Sequence, residues 1–105
     1  MGVIRTKDWL PMGTVVVTKE GQHQVMIAGV MVTDGDSGKV FDYVGYPFPE
    51  GRGAEGDQFF NRSDVGEIYQ LGYMNSTGCA FQAYLEERTP EYEELKEKTK
   101  DGVVK

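Results

Sequence analysis

The sequence predicts an α+β fold: a small, strongly bent antiparallel sheet of about five strands with a C-terminal helical segment. Short β-branched and aromatic runs alternate with glycine-rich connections over residues 14–73, which is typical of strands joined by tight turns. Gly29 interrupts the most apolar of these runs, as expected where a sheet bends sharply. After residue 75 the apolar period changes from two to about 3.6. An SH3-like barrel is one form that such a sheet could take.

The chain of 105 residues has the size of one domain. We divide it into an N-terminal arm (1–9), a β-rich domain (10–74) and a C-terminal helical segment packed on the sheet (75–105). We expect no membrane insertion, because no run reaches the about 18 apolar residues of a membrane-spanning helix. Residues 1–13 lack the apolar core of a secretory signal. A single cysteine, Cys79, fits a reducing compartment, so we expect a cytoplasmic protein.

The first three strands are predicted from β-branched and alternating runs at residues 14–19, 24–33 and 39–44. Both faces of residues 24–33 are largely apolar, which indicates a central strand. Gly29, in the middle of that strand, predicts a bulge or a sharp bend.

An aromatic loop follows the third strand in the sequence FDYVGYPFPEG, residues 41–51. Pro47 and Pro49 each lack a backbone donor and have a fixed φ, so we expect the strand to end at Val44. The residues that we predict to bind a protein are Tyr43, Tyr46, Phe48 and Glu50. Tyrosine and phenylalanine are favoured anchors at interface centres, but the same aromatic side chains could instead fill the core and a corner.

Residues 58–60 predict a fourth, short strand, and residues 67–73 predict the last one. Between them we expect one helical turn, in which Asn61 is the N-cap and Asp64 reaches back to it. The two predicted helical segments are residues 77–87 and 90–100, since Thr89 and Pro90 are typical of a new helix start. The stripe that we expect to cover one open side of the sheet consists of Phe81, Tyr84 and Leu85.

The residue types do not indicate an active site, and we expect no enzyme activity. One histidine and one cysteine cannot supply the usual ligands of a structural zinc site, so we expect no metal and no cofactor. The net charge of −6 argues against nucleic-acid binding and favours solubility or a basic protein partner. We expect Cys79 to be a small buried residue. The alternative is a small hydrolase or ligand-binding barrel that uses Glu50, Asp57 or Asp64.

Five blocks of the sequence together resemble a known family. They lie at residues 10–16, 25–29, 41–51, 59–65 and 71–73, and they include FDYVG, YPFPEG and FFNRSDV. In that order they resemble DUF4176, a small domain-of-unknown-function family of Firmicutes. The resemblance covers most of the β-rich domain, whereas the tail after residue 75 lies outside it.

The resemblance implies a gene neighbourhood rather than a chemical activity, because such proteins are typically encoded beside type VIIb secretion genes and LXG-type toxins. It implies a non-catalytic cytoplasmic accessory protein, a chaperone or adaptor that holds a toxin before export. The implied partner is an LXG-type toxin or another protein of the secretion locus. No catalytic residues come with the resemblance. The alternative function is a toxin-neutralising immunity protein that blocks a toxin active site with its acidic surface.

Overall fold

The computed structural model describes residues 4–21, 23–53 and 56–100. They form one five-stranded antiparallel sheet followed by one helix, which confirms the predicted α+β fold. The strands are β1 (Val15–Thr18), β2 (Val25–Thr33), β3 (Val40–Pro47), β4 (Gln58–Phe60) and β5 (Val65–Gln70), and the helix is α1 (Ser76–Lys98). Residues 1–3 of the predicted arm and 101–105 of the predicted helical segment lie outside the described residues.

The strand order shows why the sheet bends. The order is β4-β3-β2-β1-β5, so the two edges, β4 and β5, are consecutive in the chain. They are joined through the 3-10 turn Arg62–Asp64. In a flat sheet the edges would lie about 19 Å apart, at about 4.8 Å per strand, which a turn rising about 2 Å per residue cannot span. The sheet therefore curls, but it stays open rather than closing into an SH3-like barrel, since no pairing joins β4 and β5 within the described residues.

The predicted irregularity at Gly29 is a β-bulge. The register between β2 and β3 shifts between Ile27 and Gly29, which leaves Ala28 as the extra residue. A Cβ atom at Gly29 would lie 2.7 Å from a methyl group of Val44, so a side chain here would require the Val44 side chain to shift. Met31, two residues later, has a left-handed φ of 48°. These features bend β2 near its middle.

β3 continues to Pro47, so the predicted end at Val44 was wrong. Phe48 donates its N–H to the carbonyl of Gln24 at 2.9 Å, on the side of β2. Because backbone donors alternate along a strand, the nitrogen of Pro47 faces the opposite side. β4 pairs with β3 only as far as Gly45, so the missing donor of Pro47 falls on an unpaired stretch. The proline therefore costs no ladder hydrogen bond.

α1 is one continuous helix, and the predicted interruption at Pro90 was wrong. The side chain of Asn75 caps its start by accepting the N–H of Gly78 at 2.9 Å. Proline inside a helix removes one hydrogen bond and crowds the preceding turn. Leu85 and Tyr92, on either side of Pro90, are both buried in the core, so tertiary packing holds the two halves in one helix. Within the described residues, no helix is long and apolar enough to cross a bilayer.

The core joins the arm, the sheet and the helix. It consists of Trp9, Leu10, Val16, Val25, Ile27, Val40, Tyr43, Phe60, Val65, Leu85 and Tyr92. The ring of Trp9 lies edge-on to Tyr43 and Tyr92, with centroids 5.8 and 5.6 Å away. Its indole N–H donates to the hydroxyl of Thr89 at 2.9 Å. Trp9 thereby connects the arm to both β3 and α1.

Only Leu85 of the predicted helix stripe lies in the core. Leu85 is 2% exposed, whereas Phe81 and Tyr84 are 43% and 51% exposed, so their predicted packing on the sheet was wrong. The buried face of α1 instead continues from Leu85 to Tyr92. Phe81 and Tyr84 stack on each other at the surface, with ring centroids 6.3 Å apart.

Candidate functional site

The candidate binding loop, residues 45–51, begins in the last three residues of β3 and leaves the sheet after Pro47. In it, Tyr46 is half-buried, whereas Phe48 and Glu50 are exposed. Gly51 closes the turn with a φ of 80° and donates its N–H to the last carbonyl of β3 at 2.6 Å. The loop has a defined shape and presents one large apolar side chain, Phe48, to solvent.

Two side-chain contacts hold the binding loop against its neighbours. Nε2 of His23 lies 3.0 Å from Oε1 of Glu50, and this hydrogen bond lowers the pKa of the Glu50 carboxyl. Interaction with the nearby carboxylate of Asp57 raises the pKa of Tyr46. These contacts orient the loop but leave Phe48 accessible.

Tyr43, the first of the four predicted binding residues, is fully buried and therefore cannot contact a partner in this structure. Its hydroxyl accepts the N–H of Leu10 at 2.9 Å and donates to the carbonyl of Asp8 at 3.2 Å. Burial raises the pKa of Tyr43. The residue anchors the arm to β3, so it belongs to the fold, and the binding role of the other three residues stays a prediction.

The most extensively bonded polar group is the carboxylate of Asp42 in β3, which is 1% exposed. Its Oδ2 accepts the backbone N–H of Arg62 at 2.7 Å and the Nε–H of the same residue at 3.1 Å. Its Oδ1 accepts the hydroxyl of Tyr92 at 2.7 Å and the ammonium of Lys96 at 2.9 Å. We call Asp42, Arg62, Tyr92 and Lys96 the Asp42 cluster.

The Asp42 cluster favours the ionised carboxylate in spite of its burial. Burial alone would raise the pKa of Asp42, but the hydrogen bonds from Arg62, Tyr92 and Lys96, with the charge of Lys96, outweigh it and lower that pKa. Burial and the bond to Asp42 raise the pKa of Tyr92. At neutral pH the carboxylate is therefore charged and the phenol protonated. Since the carboxylate oxygens already accept donors from the protein, this geometry is that of an anchor between sheet and helix.

The 3-10 turn extends the Asp42 cluster to the arm and the helix surface. The guanidinium of Arg62 lies 4.1 Å from the ring centre of Trp9 and donates to the carboxylate of Glu93. The side-chain oxygen of Asn61 accepts the backbone N–H of Asp42 at 3.0 Å. One short turn therefore contacts the sheet, the arm and α1 together.

The Asp42 cluster was not predicted from the sequence. The available signals were an acidic residue inside an apolar strand and a Tyr–Lys pair four residues apart in the helix. Arg62, Tyr92 and Lys96 lie 20, 50 and 54 residues from Asp42 along the chain. Local periodicity cannot report contacts at such separations.

The carboxylates proposed for a hydrolase each have a structural partner. Glu50 and Asp57 interact with side chains in or beside the binding loop, as described above. Asp64 accepts the backbone N–H of Asn61 at 2.9 Å, which is the predicted reach back across the 3-10 turn. Among the described residues, no group of three or more His, Cys, Asp or Glu side chains could hold a metal ion.

Cys79 is exposed, so the prediction of a buried cysteine was wrong. It lies in the first turn of α1, where its N–H donates to the carbonyl of Asn75 at 2.8 Å. The buried face of the helix begins later, at Leu85, because the N-terminal turn extends beyond the core.

Several large apolar side chains are exposed outside the binding loop. One group follows β5 and its end, and consists of Tyr69, Leu71 and Tyr73. The other lies on the outer face of α1 and consists of Phe81, Tyr84 and Leu95. Contiguous exposed apolar surface on a small domain commonly marks an interaction site.

Fold and surface together define a small α+β domain with an anchored C-terminal helix and several exposed aromatic side chains. The chain belongs to the family described as Domain of unknown function (DUF4176), whose model matches residues 9–81. This match includes Trp9, Asp42 and Arg62 and ends within the first turns of α1, before Tyr92 and Lys96. No match was found among curated proteins or among solved structures.

Proposed function

We propose that this protein is a non-catalytic accessory protein, a chaperone or adaptor, for type VIIb secretion of LXG-type toxins. It acts in the cytoplasm by binding a toxin or another protein encoded at the same locus. The family membership supports this proposal through the gene neighbourhood that the sequence resemblance implies.

The observation that carries the proposal is the distribution of polar and apolar side chains. The buried carboxylate, Asp42, has its acceptor positions filled by Arg62, Tyr92 and Lys96 and serves the fold. Large aromatic and aliphatic side chains remain at the surface instead. Such a surface suits binding of another protein, because aromatic residues dominate the energetics of interface centres.

The binding loop is the first surface to test. Phe48 would enter an apolar pocket of the partner, and Glu50 would face a basic group. The loop is already closed by the hydrogen bond from Gly51 to Pro47 and contacted by His23 at Glu50, so it loses less conformational freedom on binding than an unbonded loop would.

Co-expression with the proteins of the neighbouring secretion locus tests the proposal. We expect one of them, an LXG-type toxin first, to co-purify with the tagged chain. Phe48→Ala should weaken that binding about tenfold if the loop is used, because interface anchors commonly contribute 1 kcal/mol or more, on the order of this change. Met12→Ala, which truncates an exposed apolar residue outside the loop, is the matched control. Co-purification with none of the locus proteins would contradict the proposal.

The alternative function is a toxin-neutralising immunity protein, which the acidic net charge of the chain favours. One test distinguishes it from an accessory protein. An immunity protein would protect a sensitive strain when this chain alone is expressed. An accessory protein that holds a toxin before export would not protect cells attacked from outside.

A further inference from the structure

The outer face of α1 carries a regular stripe beside the buried face. It consists of Phe81, Tyr84, Arg88, Glu91 and Leu95, which we call the outer stripe. The residues are spaced alternately three and four positions apart, which is the spacing of a seam between two packed helices. Since Phe81, Tyr84 and Leu95 are exposed, this seam has no partner within the described residues.

The outer stripe is ordered by its own side chains. Tyr84 stacks on Phe81, and the guanidinium of Arg88 lies 5.4 Å from the ring centre of Tyr84. Arg88 also donates to Glu91 at 3.1 Å, so the two charged members of the stripe neutralise each other. A partner would therefore meet a preformed surface whose central charges are already paired.

A groove runs beside the outer stripe, between α1 and the sheet. On the sheet it lies at the C-terminal end of β2 and the N-terminal end of β3. Its wall on the sheet side is formed by Met31, Thr33 and Val40, and Tyr84 and Leu95 line the helix side. Its volume is about 400 Å³. The groove gives the apolar side chains of a second helix a place to enter.

The charges beside the middle of the stripe are negative, whereas Lys98 lies three positions after its last residue. Glu87 and Glu94 each follow a stripe residue by three positions, which places them next to it on the helix surface. Within the described residues, neither carboxylate has a hydrogen bond or an ion pair, whereas Glu91 and Glu93 are paired with arginines. The net charge of the whole chain, −6, has the same sign.

We propose that the outer stripe and its groove dock an amphipathic helix of another protein, one whose apolar seam is flanked by lysine and arginine. Apolar residues of that helix would cover Phe81, Tyr84 and Leu95, and its basic flank would pair with Glu87 and Glu94. A second copy of this chain fits less well, because it would bring further unpaired carboxylates to an already negative surface. The inference rests on the proposed function and specifies that the partner segment is an amphipathic helix with basic flanks.

A designed peptide tests the docking surface without any locus protein. The probe is a labelled amphipathic helix of about four heptads with leucine in the seam and lysine on both flanks. Its matched control has the same seam with glutamate on the flanks. By fluorescence anisotropy, we expect the full-length protein to bind the lysine peptide at least about tenfold more tightly than the glutamate peptide.

Matched variants locate the binding. Tyr84→Ser combined with Leu95→Ser should weaken lysine-peptide binding about tenfold or more. Tyr69→Ser combined with Tyr73→Ser removes apolar residues near β5 that are at least as exposed, and it should leave lysine-peptide binding unchanged. In NMR spectra the peptide should shift amide signals of α1, and circular dichroism should show that all variants remain folded.

Three results would overturn the inference. They are equal binding of both peptides, a stripe variant that binds like the wild type, and a wild-type dimer that the stripe variant converts to a monomer. The last would make a second copy the occupant. Co-purification of a locus protein that the stripe variant does not weaken would overturn the docking surface alone and leave the proposed function standing. Peptide binding without co-purification of any locus protein would contradict the proposed function and leave the docking surface standing.

Discussion

The two faces of α1 both carry large apolar side chains, but one face is buried against the protein and the other is exposed. The inner face bears Leu85, Thr89, Tyr92 and Lys96, each of which is buried or bonded to the arm or to β3. The outer face bears Phe81, Tyr84 and Leu95, which are exposed. Judged by hydrophobicity alone, the outer face was an equally good candidate for the core.

The two faces differ in their polar contacts, which favour burial of the inner face. Asp42 offers acceptors to Tyr92 and Lys96, and Trp9 offers a donor to Thr89. Rotating α1 to bury Phe81 would strand these groups without partners, at about 1–3 kcal/mol each. The apolar residues of the outer face are therefore available for another role.

Removing the carboxylate should weaken the inner face most. We expect Asp42→Ala to lower the free energy of unfolding by about 3–5 kcal/mol at pH 7, because it leaves the partly buried Lys96 ammonium without its counter-ion and the Tyr92 hydroxyl and Arg62 N–H without their acceptor. Urea denaturation measures this change. Asp36→Ala, at an exposed carboxylate, is the control and should change little.

The stability that the Asp42 carboxylate contributes should depend on pH. The pKa of Asp42 in the folded state lies below the ordinary value of 3.8. Its stabilisation is therefore fully present above about 3.8 and is lost as the pH falls through the folded-state pKa. The stability difference between wild type and Asp42→Ala should shrink in acid, and a difference that is constant down to pH 2, about two units lower, would contradict the anchoring role.

The two faces can be compared through one residue type. Leu85→Ala should cost about 2–5 kcal/mol, because it opens a cavity in the core. Leu95→Ala, ten residues later in the same helix, should change stability by less than about 0.5 kcal/mol. Thermal and urea unfolding of the two variants would measure both values. Similar losses would show that the outer face also packs within the protein.

Pro90 allows the continuity of the helix to be tested. Pro90→Ala restores a backbone donor at an exposed interior position of α1. We expect it to stabilise the protein by about 1–3 kcal/mol, because proline is disfavoured in a helix interior by up to about this amount. The readout is the urea midpoint. A loss of stability would show that the inner face needs the local geometry that the proline imposes.

The smallest effect concerns the contact between arm and helix. Thr89→Val removes the acceptor of the Trp9 indole N–H and should cost about 1–2 kcal/mol. Thr99→Val, at the C-terminal cap of α1, removes a hydroxyl of similar local bonding that does not contact the arm. Trp9 fluorescence should change in the first variant and not in the second.

The sequence predicted features that depend on neighbouring residues. The short strand β4, the contact of Asp64 with Asn61 and the bulge at Gly29 all follow from steric or hydrogen-bonding preferences within a few residues. The end of β3 at Pro47 was missed because the effect of a missing donor depends on whether a neighbouring strand is present.

The features that failed depend on distant contacts. The buried face of α1 and the continuity through Pro90 are decided by Trp9 and Asp42, far away in the chain. The sequence left open whether the aromatic residues of the candidate binding loop are buried or exposed; Phe48 is exposed, whereas Tyr43 lies in the core and bonds to the arm. Tyr43 and Tyr46 are three positions apart, so they point to opposite faces of β3, and only Tyr43 lies in the core.

The hydrogen bond from Trp9 to Thr89 joins residues 80 positions apart, almost the ends of the described chain. On the ribosome, where about 5–20 residues are added per second, Trp9 waits about 4–16 s for its partner to be made. During that time the sheet can form, but the N-terminal arm lacks its contact with α1. The order of synthesis thus leaves this contact of the core to a segment made after the sheet, and a nascent chain that has not reached Thr89 lacks the acceptor of the Trp9 N–H.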